Sequence, residues 1–236
     1  MKMIKGRKLM LFFAVIGLAS TSAVKAQDKV EASVGTDLVS GYIWRGQDLG
    51  GVSIQPSAGL SYKGFSLSAW GSVGFEGTDT KELDLTLGYE YGGFSIGVTD
   101  YWFTSADSPT RYSDYKDAHT FEVALGYDFG PLAVNWFTNF AGSVGANDEG
   151  KDVYASYISV SAPFSLGGIE WSAEIGATPW ANDFYNGYSD GFKVSSISLK
   201  ASKEVKITES FSLPLWAQAI WNPTTKGAYF VAGISF

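Results

Sequence analysis

Apolar and polar side chains alternate regularly along several stretches of this chain. Leucine or tyrosine occupies every odd position from Leu83 to Tyr91, with polar residues or glycine between them. The same alternation runs through residues 121–129 and 169–176. A period of two sustained over such lengths is typical of a β-strand with one apolar and one polar face. The pattern therefore predicts an all-β protein, and helical periodicity is absent from these stretches.

The connections between the predicted strands alternate between short turns and long polar loops. Short turns are expected at residues 63–64, 92–93, 130–131, 167–168 and 208–210, and longer connections at 47–52, 77–81, 105–118, 147–151, 182–191 and 222–226. They separate about twelve strands, predicted at 29–45, 53–62, 65–76, 82–91, 94–104, 119–129, 132–145, 152–165, 169–180, 192–206, 211–221 and 228–236. An even strand number places both termini and all short turns on one side.

A basic start followed by an apolar run marks the first residues. Four basic residues lie between Lys2 and Lys8, residues 9–19 are apolar, and small residues precede Gln27. This is the pattern of a secretory signal peptide cleaved after Ala26. The apolar run is too short for a spanning helix, which needs ~20 residues. We therefore predict a signal peptide at 1–26 and one barrel domain at 27–236.

The exported chain contains no second long apolar run, so it is either soluble or crosses a membrane as a closed barrel. A soluble sandwich or lipocalin-like barrel would show the same alternation. Two features favour a transmembrane antiparallel up-and-down barrel of about twelve strands. One is the sorting of short and long connections by side. The other is the clustering of aromatic residues near strand ends, as in interfacial girdles: Trp44, Tyr62, Phe65, Tyr91, Phe94, Trp102, Tyr127, Phe129, Trp180 and Trp221.

The last residues form a third feature of this kind. Phe230, Ile234 and Phe236 share one face of the final predicted strand, and Phe236 ends the chain. This ending resembles the C-terminal signal of outer-membrane barrels. The resemblance implies the lipid bilayer and the outer-membrane assembly machinery as partners.

The first predicted strand contains the motif Asp37-Leu-Val-Ser-Gly-Tyr-Ile-Trp-Arg-Gly46. It resembles the opening of a Gram-negative family of conserved exported proteins, the Gcw-type or TorF-family outer-membrane porin-like proteins. The segment Glu82-Leu-Asp-Leu also looks like the layout of that family. The resemblance implies a barrel in the cell outer membrane, and it carries over neither a substrate nor catalytic residues.

Composition narrows the classes of function. The chain has no cysteine, which excludes a disulfide scaffold, a thiol nucleophile and a cysteine zinc site. Without the five basic residues of the signal peptide, 12 basic residues stand against 24 acidic ones. Such a balance argues against a nucleic-acid partner, which requires a basic surface. We predict no cofactor and no metal site.

The polar faces of the strands should face the barrel lumen. The candidate lumen-lining residues are Arg45, Asp84, Glu90, Glu122, Asp128, Glu170, Glu174 and Lys200. An acid-rich lumen favours cations or neutral polar solutes over anions. Alternatively, the carboxylates pair with Arg45 and the lysines and brace a narrow barrel.

The sequence predicts a passive channel for small polar solutes. The alternative is a closed barrel that acts through its extracellular loops as an adhesin or a structural interaction protein. A remote third is a barrel hydrolase around His119, the single histidine. We expect no enzyme, because no Gly-x-Ser-x-Gly elbow occurs and His119 is expected to be a solvated loop residue. The loop aromatics are expected either to bind sugars or a partner, or to pack as a plug: Tyr112, Tyr115, Phe184, Tyr185 and Tyr188.

Overall fold

The computed structural model describes residues 29–209 and 211–236. Within these ranges twelve antiparallel strands close into one barrel, and two short strands form a separate sheet. The predicted signal peptide at 1–26 lies outside the described residues. No helix in the described part of the chain is long and apolar enough to cross a bilayer.

The strands follow the predicted alternation closely. Their bounds are β1 Glu31–Val39, β2 Tyr42–Trp44, β3 Gln47–Gly50, β4 Ser53–Tyr62, β5 Phe65–Gly74, β6 Lys81–Tyr91, β7 Phe94–Thr104, β8 His119–Asp128, β9 Ala133–Gly142, β10 Ser156–Leu166, β11 Ile169–Thr178, β12 Lys193–Lys206, β13 Ser212–Asn222 and β14 Gly227–Ser235. Neighbours in the chain pair with each other around the ring, β1 pairs with β4, and β14 pairs with β1 to close it. The prediction of about twelve strands in an up-and-down barrel is confirmed.

The short turns, the start of β1 and the end of β14 lie at one end of the barrel. The ladder between β1 and β4 places Glu31 opposite Ser61, next to the turn at Lys63 and Gly64. Both turn residues have positive φ, 49° and 87°, as a two-residue type I′ hairpin requires. The long connections therefore lie at the opposite end, as the sequence predicts.

The outer face of the barrel is apolar and exposed. Val34 is 86% exposed and Phe230 is 72% exposed, although both lie in the middle of paired strands. At the short-turn end, the exposed belt is aromatic and includes Tyr62, Phe65, Tyr91, Phe94, Tyr127 and Phe129. Such a surface is unfavourable in water but matches hydrocarbon and its interfaces. The architecture is that of an outer-membrane β-barrel.

The opposite face of each strand is polar and turned inward. Buried positions on this face are mostly serine, threonine, asparagine and acidic residues, including Ser53, Ser72, Thr99, Asn135, Ser159 and Ser198. The inward face of the wall is therefore largely polar.

The seam between β1 and β14 is short. The two strands pair only over residues 37–39 and 233–235. Beyond this ladder, the Phe236 N–H donates to the Thr36 carbonyl at 2.9 Å, and the Thr36 N–H donates back at 3.3 Å. The side chains of Phe230, Ile234 and Phe236 all point to the outer face, where Phe236 is 64% exposed. Phe236 thus lengthens the seam with its backbone and presents its ring to lipid.

Deleting Phe236 is expected to lower the amount of folded barrel. The deletion removes two backbone hydrogen bonds from the shortest part of the wall and one aromatic ring from the lipid-facing belt. Heat-modifiable mobility of the membrane-inserted protein on a gel measures the folded fraction. Phe236→Leu retains the backbone pair and serves as control. An unchanged folded fraction after the deletion would contradict the role of the seam.

The first predicted strand differs most from the observed one, whereas the others differ by a few residues at their ends. The strand expected over residues 29–45 ends at Val39, and the chain then turns into the lumen. Residues 40–52 contain β2 and β3, which pair with each other and not with the wall. We call this segment the inner hairpin. Trp44 lies in it and is 5% exposed, so its predicted place in an interfacial girdle is wrong.

Candidate functional site

The tip of the inner hairpin is a two-residue turn. Trp44 pairs with Gln47, which leaves Arg45 and Gly46 as the turn residues, with φ of 51° and 83°. Two successive positive φ angles are typical of a type I′ turn, where asparagine and glycine are favoured. Arginine is an unfavourable residue at the first of these positions. The arginine side chain must therefore make interactions that offset the backbone cost.

Gly46 brings the tip against the wall. A Cβ atom on Gly46 would lie 1.9 Å from the Ser195 carbonyl oxygen in β12. The Asn222 side chain in β13 donates from Nδ2 to the Gly46 carbonyl oxygen at 2.9 Å. A residue without a side chain is thus required for the backbone to approach β12 so closely.

The base of the inner hairpin is also attached. The Asp79 carboxylate accepts hydrogen bonds from the N–H of Gly51 at 3.2 Å and of Glu76 at 3.0 Å. The Tyr42 hydroxyl donates to Glu82 Oε2 in β6 at 2.7 Å. The inner hairpin is therefore held at its base by the β5–β6 loop and β6, and at its tip by β12 and β13.

Arg45 forms an ion pair in the interior. Its Nη1 and Nη2 donate to the two oxygens of Glu122 in β8, at 2.5 Å and 2.9 Å. Glu122 is 1% exposed and also accepts from the hydroxyls of Tyr101 at 3.0 Å and Tyr185 at 3.2 Å. Arg45 Nη1 donates to the Tyr185 hydroxyl as well. Bidentate geometry and additional donors are what a buried pair needs to offset its desolvation.

Aromatic rings surround the guanidinium. Its central carbon lies 4.4 Å from the ring centroid of Trp44, 4.0 Å from Phe137, 4.9 Å from Tyr157 and 5.6 Å from Tyr185. These distances are in the range of cation–π attraction. We call the set that holds the guanidinium the arginine box: Trp44, Tyr101, Glu122, Phe137, Tyr157 and Tyr185.

The arginine box takes one residue from the β11–β12 loop. The Asn182 side-chain oxygen accepts from the Tyr185 N–H at 2.7 Å, which turns this part of the loop inward. Burial raises the pKa of the Tyr185 hydroxyl well above its ordinary value, so the group stays neutral. Phe184 packs beside it, with ring centroids 4.8 Å apart. Phe184 and Tyr185 thus pack as a plug inside the barrel, which is one of the two roles predicted for the loop aromatics.

The other candidate lumen residues lie on the inward faces of their strands but do not form one cluster. Glu90, Asp128 and Glu170 lie towards the short-turn end, and Glu170 accepts from the Ser165 hydroxyl at 2.5 Å. Glu174 is opposite Ser198 in the ladder. Lys200 Nζ lies 3.9 Å from the ring centroid of Trp216. The structure therefore unites Glu122 with Arg45 and distributes the remaining charges along the wall.

A pair of acidic residues, Glu82 and Asp84, lies beside the arginine box. Asp84 is opposite Tyr101 in the ladder and lies two residues from Glu82 on the inward face of β6. Asp84 is 4% exposed, and its Oδ1 has no hydrogen-bond partner within the described residues. Glu82 is not among the predicted lumen-lining residues, although its two-residue spacing from Asp84 places it on the same face. Tyr101 is not among them either, although the same alternation turns it inward in β7.

His119 lies on the outer face of the barrel at the start of β8 and is fully buried beneath the β7–β8 loop. Its Nδ1 is 2.6 Å from Asp100 Oδ1, and its Nε2 is 2.7 Å from the Tyr112 carbonyl oxygen. Tyr115 stacks on the imidazole at 4.2 Å between centroids. The expectation of a solvated loop histidine is wrong. Both ring nitrogens are therefore engaged by oxygen atoms of the protein.

Solved structures with this architecture show low identity to the chain. Outer membrane phospholipase A from Escherichia coli has a TM-score of 0.38 and 13% identity, over 85% of this chain and 86% of the other. OmpF of Salmonella typhi, solved with daunomycin, has a TM-score of 0.40 and 10% identity, over 88% and 97%. BamA from Haemophilus ducreyi lacking POTRA domains 1–3 has a TM-score of 0.39 and 11% identity. That comparison covers 82% of this chain but only 41% of the BamA chain.

Comparison by sequence gives a family but no characterised relative. None of the curated proteins compared matches this chain. The model of one bacterial family matches residues 23–196, a range that includes the inner hairpin and every strand that contributes to the arginine box. The chain therefore belongs to the family described as bacterial protein of unknown function, Gcw_chp.

Proposed function

We propose that this protein is an outer-membrane channel for small polar solutes, that its lumen prefers cations, and that the inner hairpin closes it on the long-loop side. The observation that carries the proposal is the combination of an acid-rich inner wall with a separate element folded across it. The proposal refines simple passive diffusion, because solute passage requires the inner hairpin to move.

The charge of the inner wall supports a preference for cations. In the described part of the chain, acidic side chains outnumber basic ones on the inward faces; the acids include Asp37, Glu82, Asp84, Glu90, Glu122, Asp128, Glu170, Glu174 and Glu204. Fixed carboxylates lower the barrier for positive ions and raise it for negative ones. The inward positions between these acids are mostly serine, threonine and glycine, whose small side chains occupy little of the lumen.

The position of the inner hairpin supports a closed state. The segment starts between β1 and β4, yet Arg45 reaches Glu122 in β8, Phe137 in β9 and Tyr157 in β10, on the far side of the ring. Its tip also contacts β12 and β13 through Gly46. Because the inner hairpin contacts strands on several sides of the ring, it obstructs the lumen where it crosses.

Replacing residues 41–51 with a short Gly-Ser linker tests the proposal in planar bilayers. The wild-type barrel should open rarely, whereas the linker variant should conduct continuously with larger steps, because the obstruction is gone. Gel mobility before and after heating confirms that the variant is folded. If neither protein conducts, the channel is ruled out, and a closed barrel that acts through its loops becomes the better explanation.

The open linker variant should be cation-selective in a salt gradient. Changing Glu90 and Glu174 together to glutamine should shift the reversal potential towards neutrality, because two wall charges are removed. Glu149→Gln serves as control, since Glu149 is exposed in a loop and pairs with Lys151. The preference should shrink at 1 M salt, where the Debye length is ~3 Å. An anion-selective pore would contradict the charge argument.

A further inference from the structure

The arginine box has the composition of a ligand site. One buried carboxylate accepts two parallel hydrogen bonds from a planar cation, and four rings surround that cation at 4.0–5.6 Å. Two tyrosine hydroxyls fix the carboxylate, Tyr101 at 3.0 Å and Tyr185 at 3.2 Å. Carboxylate and aromatic faces together recognise guanidinium and ammonium groups. In this structure the cation belongs to the protein itself.

The cation and most of the box belong to separable elements. Tyr101, Glu122, Phe137 and Tyr157 come from four adjacent wall strands, β7 to β10. Arg45 comes from the inner hairpin, which does not pair with the wall. Moving the inner hairpin would therefore remove the guanidinium and Trp44, while Glu122 and the rings of Tyr101, Phe137 and Tyr157 stay in place on the wall.

The backbone of Arg45 weakens its own binding. Its φ of 51° is a left-handed conformation that L side chains rarely adopt. A free guanidinium compound would make the same two hydrogen bonds without that cost. The Arg45 side chain is therefore suited to occupy the site reversibly.

A second acidic group lies next to the box. Asp84 is opposite Tyr101 in the ladder, is 4% exposed and has an Oδ1 without a hydrogen-bond partner in the described residues. Glu82, on the same face of β6, is also buried and accepts from the Tyr42 hydroxyl. Glu82, Asp84 and Glu122 thus place three buried carboxyl groups beside one arginine at this level of the lumen.

We propose that Glu122 and the surrounding rings form a recognition site for the guanidinium group of small cationic solutes, which Arg45 occupies as an internal competitor in the resting barrel. A solute that takes the place of Arg45 releases the tip of the inner hairpin. The inference rests on the proposed channel for its role in transport, but binding at the box is independent of conductance.

Binding is tested with the full-length Arg45→Ala barrel and methylguanidinium chloride, followed by tryptophan fluorescence, because Trp44 lines the site. The expected result is a saturable signal that is about tenfold weaker in Arg45→Ala/Glu122→Gln, the factor for loss of a charge-assisted pair. Methylammonium should bind more weakly, since it lacks the planar group with two parallel N–H donors that matches a carboxylate. Urea, a neutral molecule of similar shape, should give no saturable signal. Equal responses from both variants, or from urea, would overturn the site.

Folding gives a second measurement if the Arg45→Ala barrel is unstable. Refolding into detergent with millimolar methylguanidinium should recover more heat-modifiable barrel than refolding with equal urea or sodium chloride. Equal recovery in all three solutions would overturn the proposal.

Competition with Arg45 is tested in the wild-type barrel. Methylguanidinium should increase the fraction of time that the channel is open several-fold over sodium chloride at the same ionic strength. An unchanged open fraction in a conducting wild-type barrel would overturn the competition. A barrel that binds methylguanidinium but never conducts would contradict the channel and support the recognition site.

Discussion

Arg45→Met is expected to lower the free energy of unfolding of the barrel by about 3–5 kcal/mol, the cost of leaving one partner of a buried ion pair uncompensated. Glu122 is 1% exposed, and in this variant it would keep only the two tyrosine donors. Methionine retains most of the volume of the side chain, so the loss reports on charge and hydrogen bonding more than on packing. Unfolding in urea, followed by gel mobility, measures the change.

The double variant Arg45→Met/Glu122→Gln provides the control for that result. It removes both charges and should recover a large part of the lost stability, because no buried charge remains. The free energy of unfolding of Arg45→Lys should lie between those of the wild type and Arg45→Met. Lysine keeps the charge but cannot form the bidentate hydrogen bonds or stack on the rings. Equal stability of Arg45→Met and wild type would show that the ion pair does not hold the inner hairpin.

Gly46→Ala is expected to displace the tip of the inner hairpin and to increase the open fraction of the channel several-fold. A Cβ atom at this position would lie 1.9 Å from the Ser195 carbonyl oxygen, a backbone atom that cannot rotate away. The φ of 83° adds a left-handed penalty of about 1–2 kcal/mol for a residue with a side chain. Single-channel recording measures the open fraction, and urea unfolding measures the stability of the same sample.

Gly51→Ala is the matched control on the same hairpin. The nearest atom to a Cβ there is Asp79 Oδ1 at 4.0 Å, and its φ is not positive. This variant should behave as wild type in both measurements. If Gly46→Ala were also indistinguishable from wild type, the tip would not be docked on β12 as described.

Which side chains face inward and which face outward could be predicted, because side chains along a strand point alternately to its two faces. Once one leucine of residues 83–92 is assigned to lipid, Asp84 and Glu90 must point the other way. The same rule places Glu122, Asp128, Glu170 and Glu174 inward. The alternation of short and long connections then orders the strands, since antiparallel neighbours joined by tight turns leave little choice of partner.

The inner hairpin could not be predicted in this way. Tyr42, Ile43 and Trp44 are as apolar as a wall strand, and the segment continues the alternation of β1. A segment inside the lumen is surrounded by protein on all sides, so its sequence lacks the contrast between lipid and water that marks a spanning strand. The predicted strand at 29–45 was therefore too long.

His119 was misplaced for a related reason. The sequence shows it beside a polar loop with acidic residues, which suggests solvent. The fold instead lays that loop over the outer wall, where Tyr115 stacks on the ring and Asp100 reaches Nδ1. Asp100 lies 19 residues earlier, in the strand that pairs with β8.

The sequence alone determines the strand architecture, the face of each acidic residue and the apolar C-terminal strand, because these depend on local periodicity and turn length. The tertiary structure decides which charges meet. Arg45 and Glu122 are 77 residues apart, and Tyr185 is a further 63 residues along the chain. Their encounter depends on where β1 ends and how two loops fold into the lumen, and no local pattern encodes such distances.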